Sequence, residues 1–353
     1  MFESLGFETL TAPQAAVYFA LALGVAFGIL AQITRFCFRR SIVGKDRKQA
    51  AGVWLTALAV AVLGTQGAVA AGWITFAEHR FMAGELPVLA IVAGGLLFGA
   101  GMVLTRGCVS RLTVLTGSGN LRAALVLVVF AVVAHATLKG VLAPLRTTLG
   151  SITLSLDSVA LPGAPLLWAG LIAAAALVIA LRSGNRAGIL ALAALIGVLV
   201  PLGWVGTGFI LQDEFDPIAM ESLSFTSAAA EALFFTVAST SISATFGAAL
   251  IGAVVLGALT SSLIRGEFAW QSFHSPRETG RYMSGAALMG VGGVLAGGCT
   301  VGAGLSGIPT LSIAAILAIA AIGAGGLLTN WALSAGSSER AAPATRPTAL
   351  PAE

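Results

Sequence analysis

Charge is scarce in this chain. Asp, Glu, Lys and Arg make up 10% of the 353 residues, against about 25% in an ordinary soluble domain. With 57% hydrophobic residues and a mean hydropathy of +0.95, that scarcity excludes a water-soluble globule. Cysteine is equally sparse. Three thiols make no disulfide framework, because an odd number leaves one over, and no two lie within 70 positions, which excludes a CxxC pair or a local metal clip. No GxxxxGK(S/T) phosphate loop, HExxH or GxSxG occurs, so ATP-driven transport within the chain and hydrolysis both lack a motif, and no cofactor is expected. Lys and Arg are missing from "MFESLGFETL" at the amino terminus, so the first apolar run has no basic leader of a cleavable signal. The net charge of +4 sits in short loops between apolar runs, where it writes orientation and does not point to nucleic acid.

What is present is apolar sequence in lengths near the ~20 residues that cross a bilayer. Spans are expected at 13–34, 50–74, 87–105, 121–142, 164–182, 186–205, once within 225–264, 283–298 and 309–333. That predicts an all-α membrane protein of about nine transmembrane helices plus short re-entrant helices or loops, the extra piece falling near "STSISAT". The expected layout is one polytopic membrane domain over 1–333, with a first half at about 13–142, a second at about 164–333, and a disordered cytoplasmic tail at 334–353. The segment "TRFCFRRSIVGKDRKQ" holds six basic residues and belongs inside, with "RGCVSRLTVLTGSGNLR", "RSGNR" and "RGEFAWQSFHSPRETGR". The acidic loop "LQDEFDPIAMES" and the amino terminus then face outward, and the carboxyl terminus is cytoplasmic. Arg80, Lys139 and Arg146 fall outside against the rule.

A repeat organises the chain. "FGILAQITRFC" at 27–37 matches "FGAGMVLTRGC" at 98–108, and "MGVGGVLAGGC" at 289–299 repeats the glycines and the cysteine. Glycine stands nine residues before cysteine in all three. "IGVLVPLGWVGTG" at 196–208 is a weaker copy with no thiol. By the charge rule the first two copies run inward and the last two outward, so the two halves form an inverted pseudo-two-fold repeat, a design that puts substrate near the membrane midplane. Broken backbone survives at that depth only when buried in protein or lining a cavity.

The candidate pathway residues follow from the repeat. A lone cysteine is ordinarily a small buried hydrophobe. Cys37, Cys108 and Cys299 share one register, each in a polar or glycine-broken turn, and would hand on a soft anion as weak S–H donors. Gly107, Gly298 and Thr300 flank the second and third thiols, and Arg35 and Arg106 stand two residues before the first two, as anion attractors or as interfacial markers. Arg111 stays undecided. Gln66 and His135 read as interhelical hydrogen-bonding residues. Asp213, Glu214, Asp216 and Glu221 read as a solvated outer loop, without the spacing of a metal site.

Nine spans, internal pseudo-symmetry and "GGCTVGAGLSG" with two earlier single cysteines resemble the YeeE/YedE family of bacterial inner-membrane sulfur-compound transporters, over roughly 13–333. The resemblance implies uptake of the thiosulfate ion across the lipid bilayer of the inner membrane, through an hourglass-shaped protein whose cysteines contact the ion transiently. Cys37 in "RFCFRRS", Cys108 in "RGCVSRL" and Cys299 in "GGCTVGAG" occupy the matching positions. It also implies a separate cytosolic TusA-like sulfurtransferase that takes the delivered sulfur. Two other readings stay open. One is a membrane thiol or persulfide sulfurtransferase or oxidoreductase, which wants paired cysteines or an acidified nucleophile. The other is transport of a different sulfur or selenium species; Cu(I) on three thiolates ranks below both, because the nearby arginines repel cations and no Met-rich tract occurs.

Overall fold

The computed structural model describes residues 10–156, 158–213 and 215–339. The amino-terminal nine residues, Glu214 and the tail from 340 onward lie outside them, so the expectations for those stretches do too. Thirteen α-helices fill the described chain: α1 Ala12–Thr34, α2 Phe38–Val43, α3 Arg47–Ala70, α4 Val88–Leu104, α5 Val109–Gly117, α6 Leu121–Lys139, α7 Ala143–Gly150, α8 Pro165–Leu181, α9 Ala187–Val205, α10 Thr226–Ala238, α11 Phe246–Ile264, α12 Pro276–Leu295 and α13 Ile313–Glu339. The last runs past residue 334, into the stretch expected as tail. A two-residue pair, β1 Glu85–Leu86 with β2 Leu154–Ser155, is the one small sheet among the described residues.

Among the described residues, eight helical stretches are long and apolar enough to cross a membrane. The span expected at 164–182 is α8, whose 17 residues reach about 26 Å at 1.5 Å per residue. The doubtful stretch 225–264 resolves into α10 and α11 around the break at 239–245.

Lipid gives helices no hydrophobic reason to associate, so close packing and small residues must hold them. Here α1 lies on α11, and α4 lies on both α12 and α13. A Cβ on Gly24 would stand 2.6 Å from Ala253 Cβ, and one on Gly94 2.5 Å from the Ala296 nitrogen. Backbones at these two crossings touch because no side chain intervenes. Each crossing joins an early helix to a late one, so the two expected halves interlock.

The loops separate into two sets. Gln32 donates to Glu267 at 2.8 Å, Asn120 to Gln271 at 2.9 Å, Arg122 pairs with Glu278 at 3.2 Å, and Asn185 donates to the Gln49 carbonyl at 2.9 Å. All join segments expected inside. Ser312 donates to the Phe81 carbonyl at 2.6 Å, Thr207 to the Glu221 carbonyl at 2.7 Å, and β1 pairs with β2, joining segments expected outside. Gln66 donates to the Pro309 carbonyl at 2.7 Å, the interhelical bond its type suggested. His135 stacks on Phe234, with ring centroids 5.1 Å apart.

Candidate functional site

All three thiols are built the same way. A long helix ends, one residue turns left-handed, and the cysteine two positions later caps a short helical piece. The left-handed residues are Arg35 (φ 54°), Arg106 (φ 59°) and Gly297 (φ 73°). In each the turning N–H reaches back three residues, to Gln32, Val103 and Val294. The following N–H closes the wider loop in the first two, from Phe36 to Ala31 and from Gly107 to Met102, both at 3.1 Å. This is a Schellman-type helix stop. Glycine is the inexpensive residue at such a φ, whereas arginine costs about 1 kcal/mol or more. Only the third copy uses glycine, inside the Gly-Gly-Cys of "LAGGCTVGAG".

Cys37 then caps α2, Cys108 caps α5, and Cys299 caps the π-turn Thr300–Gly307. At the third cap the Gly302 N–H donates to Cys299 Sγ at 3.4 Å. An N-cap faces the unsatisfied N–H groups and positive dipole end of its helix. Gly298 is held close to that turn, since a Cβ there would stand 2.9 Å from the Ala303 nitrogen; at Gly107 a Cβ would meet Leu112 at 3.2 Å.

The caps converge. Cys37, Cys108 and Cys299 are 6%, 1% and 0% exposed. Cys37 and Cys108 lie close enough for their side chains to act on each other. Thr300, 1% exposed, also acts on the Cys108 sulfur, which has Ser110 Oγ at 3.3 Å. The residue after the third thiol therefore neighbours the second, and the second neighbours the first.

Beside the turn that Cys299 caps lies a cavity of about 910 Å³, walled by residues of the 69–81 and 204–231 segments and by the start of α11. Gly302 lines its floor, so the cavity reaches the N–H that holds the Cys299 sulfur. Ser224 and Trp204 line it as well, and the Ser224 hydroxyl and the Trp204 indole N–H are buried with no partner among the described residues. Such donors cost about 1–3 kcal/mol each until something accepts from them. Glu78, His79, Arg80, Glu221 and Glu231 supply the charge. Burial, then the neighbouring Arg80, press the His79 imidazole down to about 4, and its Nδ1 accepts from the Phe81 N–H at 3.3 Å. Burial, then the like charge of Glu231, push the Glu221 carboxyl up to about 7, with Arg80 pulling the other way.

Two assignments change. Glu221 is not a solvated loop residue: its main chain is clasped by Thr207, and its carboxyl lines the cavity. Arg80, out of place by the charge rule, opens into the same cavity. Arg35 and Arg106 have exposed side chains, and it is their backbone that sets each stop. Arg111, left undecided, is half-buried and acts electrostatically on Cys37 and Cys108. The signal for it was present in the sequence: "CFRR" and "CVSR" each place arginine three residues after the thiol, in the first turn of the helix that thiol caps.

Over 362 aligned residues the chain is 26% identical to a protein of Spirochaeta thermophila named thiosulfate transporter TsuA, covering 90% of this chain and 98% of the relative. It is 27% identical over 317 residues to the thiosulfate transporter TsuA of Escherichia coli strain K12, covering 81% and 85%. A family model described as sulphur transport matches residues 33–328, which hold all three thiols, and the chain belongs to that family.

Proposed function

We propose that this protein imports thiosulfate across the bacterial inner membrane, passing it from the outer cavity to Cys299, then Cys108, then Cys37, for sulfur assimilation in the cytosol. The observation that supports the reading is a cluster of three solitary, buried thiols next to a large cavity that Gly302, bonded to the Cys299 sulfur, helps to line. The names of the two relatives favour thiosulfate over other sulfur or selenium anions.

Magnitudes decide how such a path must work. Placing a bare ion in hydrocarbon costs on the order of tens of kcal/mol. A neutral hydrogen bond returns about 1 kcal/mol, and a thiol is a weak donor. Thiols alone therefore do not carry a dianion. They act with the Gly302 N–H, the α5 amino end, Thr300 and positive charge nearby, and their weakness is useful because a conducting site must also let go. Gly107 and Gly298 keep the backbone close to the sulfurs, while Arg35 and Arg106 raise the potential at the inner mouth. The inverted repeat fits the order of parts: helix, stop and short helix recur at α1, α4 and α12, and α9 runs into the π-turn Gly206–Ile210 without a thiol. In this reading the amino terminus is periplasmic, the carboxyl terminus is cytoplasmic, and a TusA-like sulfurtransferase receives the sulfur.

Reconstituted vesicles with labelled thiosulfate test it. Saturable uptake that persists under a tenfold excess of sulfate is the expected result, and uptake abolished equally by sulfate, or none at all, contradicts it. One observation favours a second reading: the Cys37–Cys108 contact supplies the pair that a dithiol oxidoreductase needs. Mass spectrometry finding a turnover-dependent Cys37–Cys108 disulfide would favour that enzyme over a transporter.

A further inference from the structure

Arg40 and Arg111 occupy the same place in two copies of the repeat, three residues after Cys37 and Cys108. Their surroundings differ sharply. Arg40 is clasped by Asp46, which takes two of its nitrogens and neutralises it. Arg111 forms no ion pair among the described residues. Its guanidinium donates to the Ala31 carbonyl at 3.4 Å, a long bond to a neutral acceptor. Arg111 belongs to the stretch Val88–Gly117, which is long and apolar enough to cross a membrane. The groups that act on it most are Cys37, Cys108, Arg40 and Arg35, and none of the three ion pairs among the described residues gives it a carboxylate. A cation inside a membrane ordinarily finds a counter-charge in the protein, and where it does not, a functional partner is the default expectation. Here two soft thiols stand where the acid is missing.

We propose that Arg111 is the specificity-determining cation of the path, taking the oxyanion end of a divalent sulfur oxyanion while Cys37 and Cys108 meet its terminal sulfur. The proposal rests on the transport reading above and adds to it a named charge at the inner thiol pair. A guanidinium presents planar paired donors that match two oxygens of a sulfonate-like group, which an ammonium does not. Discrimination then comes from two contacts at once. Sulfate satisfies the arginine and offers the thiols no soft atom, and a sulfide offers a soft atom with no oxygens for the arginine. Arg40, already satisfied by Asp46, marks the route toward the cytosol without holding the ion.

The test compares wild type, Arg111→Gln, Arg111→Lys and Arg40→Gln in vesicles, measuring labelled-thiosulfate uptake against concentration and against competing sulfate. Arg111→Gln is expected to raise KM at least tenfold at equal inserted protein. Arg111→Lys is expected to keep uptake but to let sulfate compete several-fold better, a change that a mere tie to the Ala31 carbonyl would not produce. Arg40→Gln is expected to change KM less than threefold. Wild-type kinetics in Arg111→Gln overturn the proposal, as does unchanged sulfate discrimination in Arg111→Lys should the glutamine variant fail to insert. Saturable wild-type uptake alongside either result leaves the transport reading standing, whereas no wild-type uptake removes both.

Discussion

The two ends of the proposed route handle charge in opposite ways. The outer cavity is wide and carries acids and bases together, with Glu221, Glu231 and Glu78 facing Arg80 and His79. The thiol core is nearly free of solvent and holds one half-buried arginine that forms no ion pair among the described residues. The difference follows from solvent. Where water reaches, mixed charges are cheap and their field is screened. Where it does not, each charge must be met by protein or by cargo, so the inner region relies on weak neutral donors and a single cation.

Three variants probe that contrast, beginning at its boundary. Gly302 joins the cavity floor to Cys299, and a Cβ there would stand 2.9 Å from the Ser224 hydroxyl. Gly302→Val should cut labelled-thiosulfate uptake by roughly tenfold or more while the protein still elutes as a folded species, since overpacking costs about 1–3 kcal/mol. Full uptake would mean that the cavity does not feed the thiols.

Glu221 tests the outer end. Its carboxyl, pushed up to about 7, is mostly neutral at pH 6 and charged at pH 8, whereas thiosulfate is a dianion at both. Repulsion is therefore relieved as pH falls, and KM should drop by roughly fivefold from pH 8 to pH 6, a unit charge at 4 Å being worth about 1 kcal/mol even in water. His79, held near 4, does not titrate in that window. In Glu221→Gln the pH dependence should flatten at the low-pH value; a slope that survives the substitution assigns it elsewhere.

Arg106 should matter least. Glycine at its left-handed φ removes a strain of about 1 kcal/mol, partly offset by the freer unfolded chain. Arg106→Gly should unfold at a slightly higher temperature and keep uptake within threefold. A larger loss would show that the exposed guanidinium contributes more than the turn.

The membrane class and the register of the stops were legible in the sequence because they depend on local quantities: apolar length, and spacing from glycine to cysteine. The two sets of loops were legible from Lys and Arg counts, and their cross-links join segments of like expected side. Glu221 was misread because four acids in one stretch look like a solvated loop, and only the clasp from Thr207, 14 residues earlier, turns its carboxyl to the cavity. Ser224 and Trp204 gave no signal, since an orphaned donor exists only once its neighbours are placed. Arg111 had a signal in the repeated Cys-x-x-Arg, but its meaning depends on Asp46, which answers one arginine of the two.

The most direct measurement is the initial rate of labelled-thiosulfate uptake into vesicles carrying wild type, Cys108→Ala or Cys299→Ala at equal inserted protein. A fall of at least tenfold in both variants, with folding intact, is the result predicted here. Rates within twofold of wild type in both would contradict the claim that the buried thiols line the route.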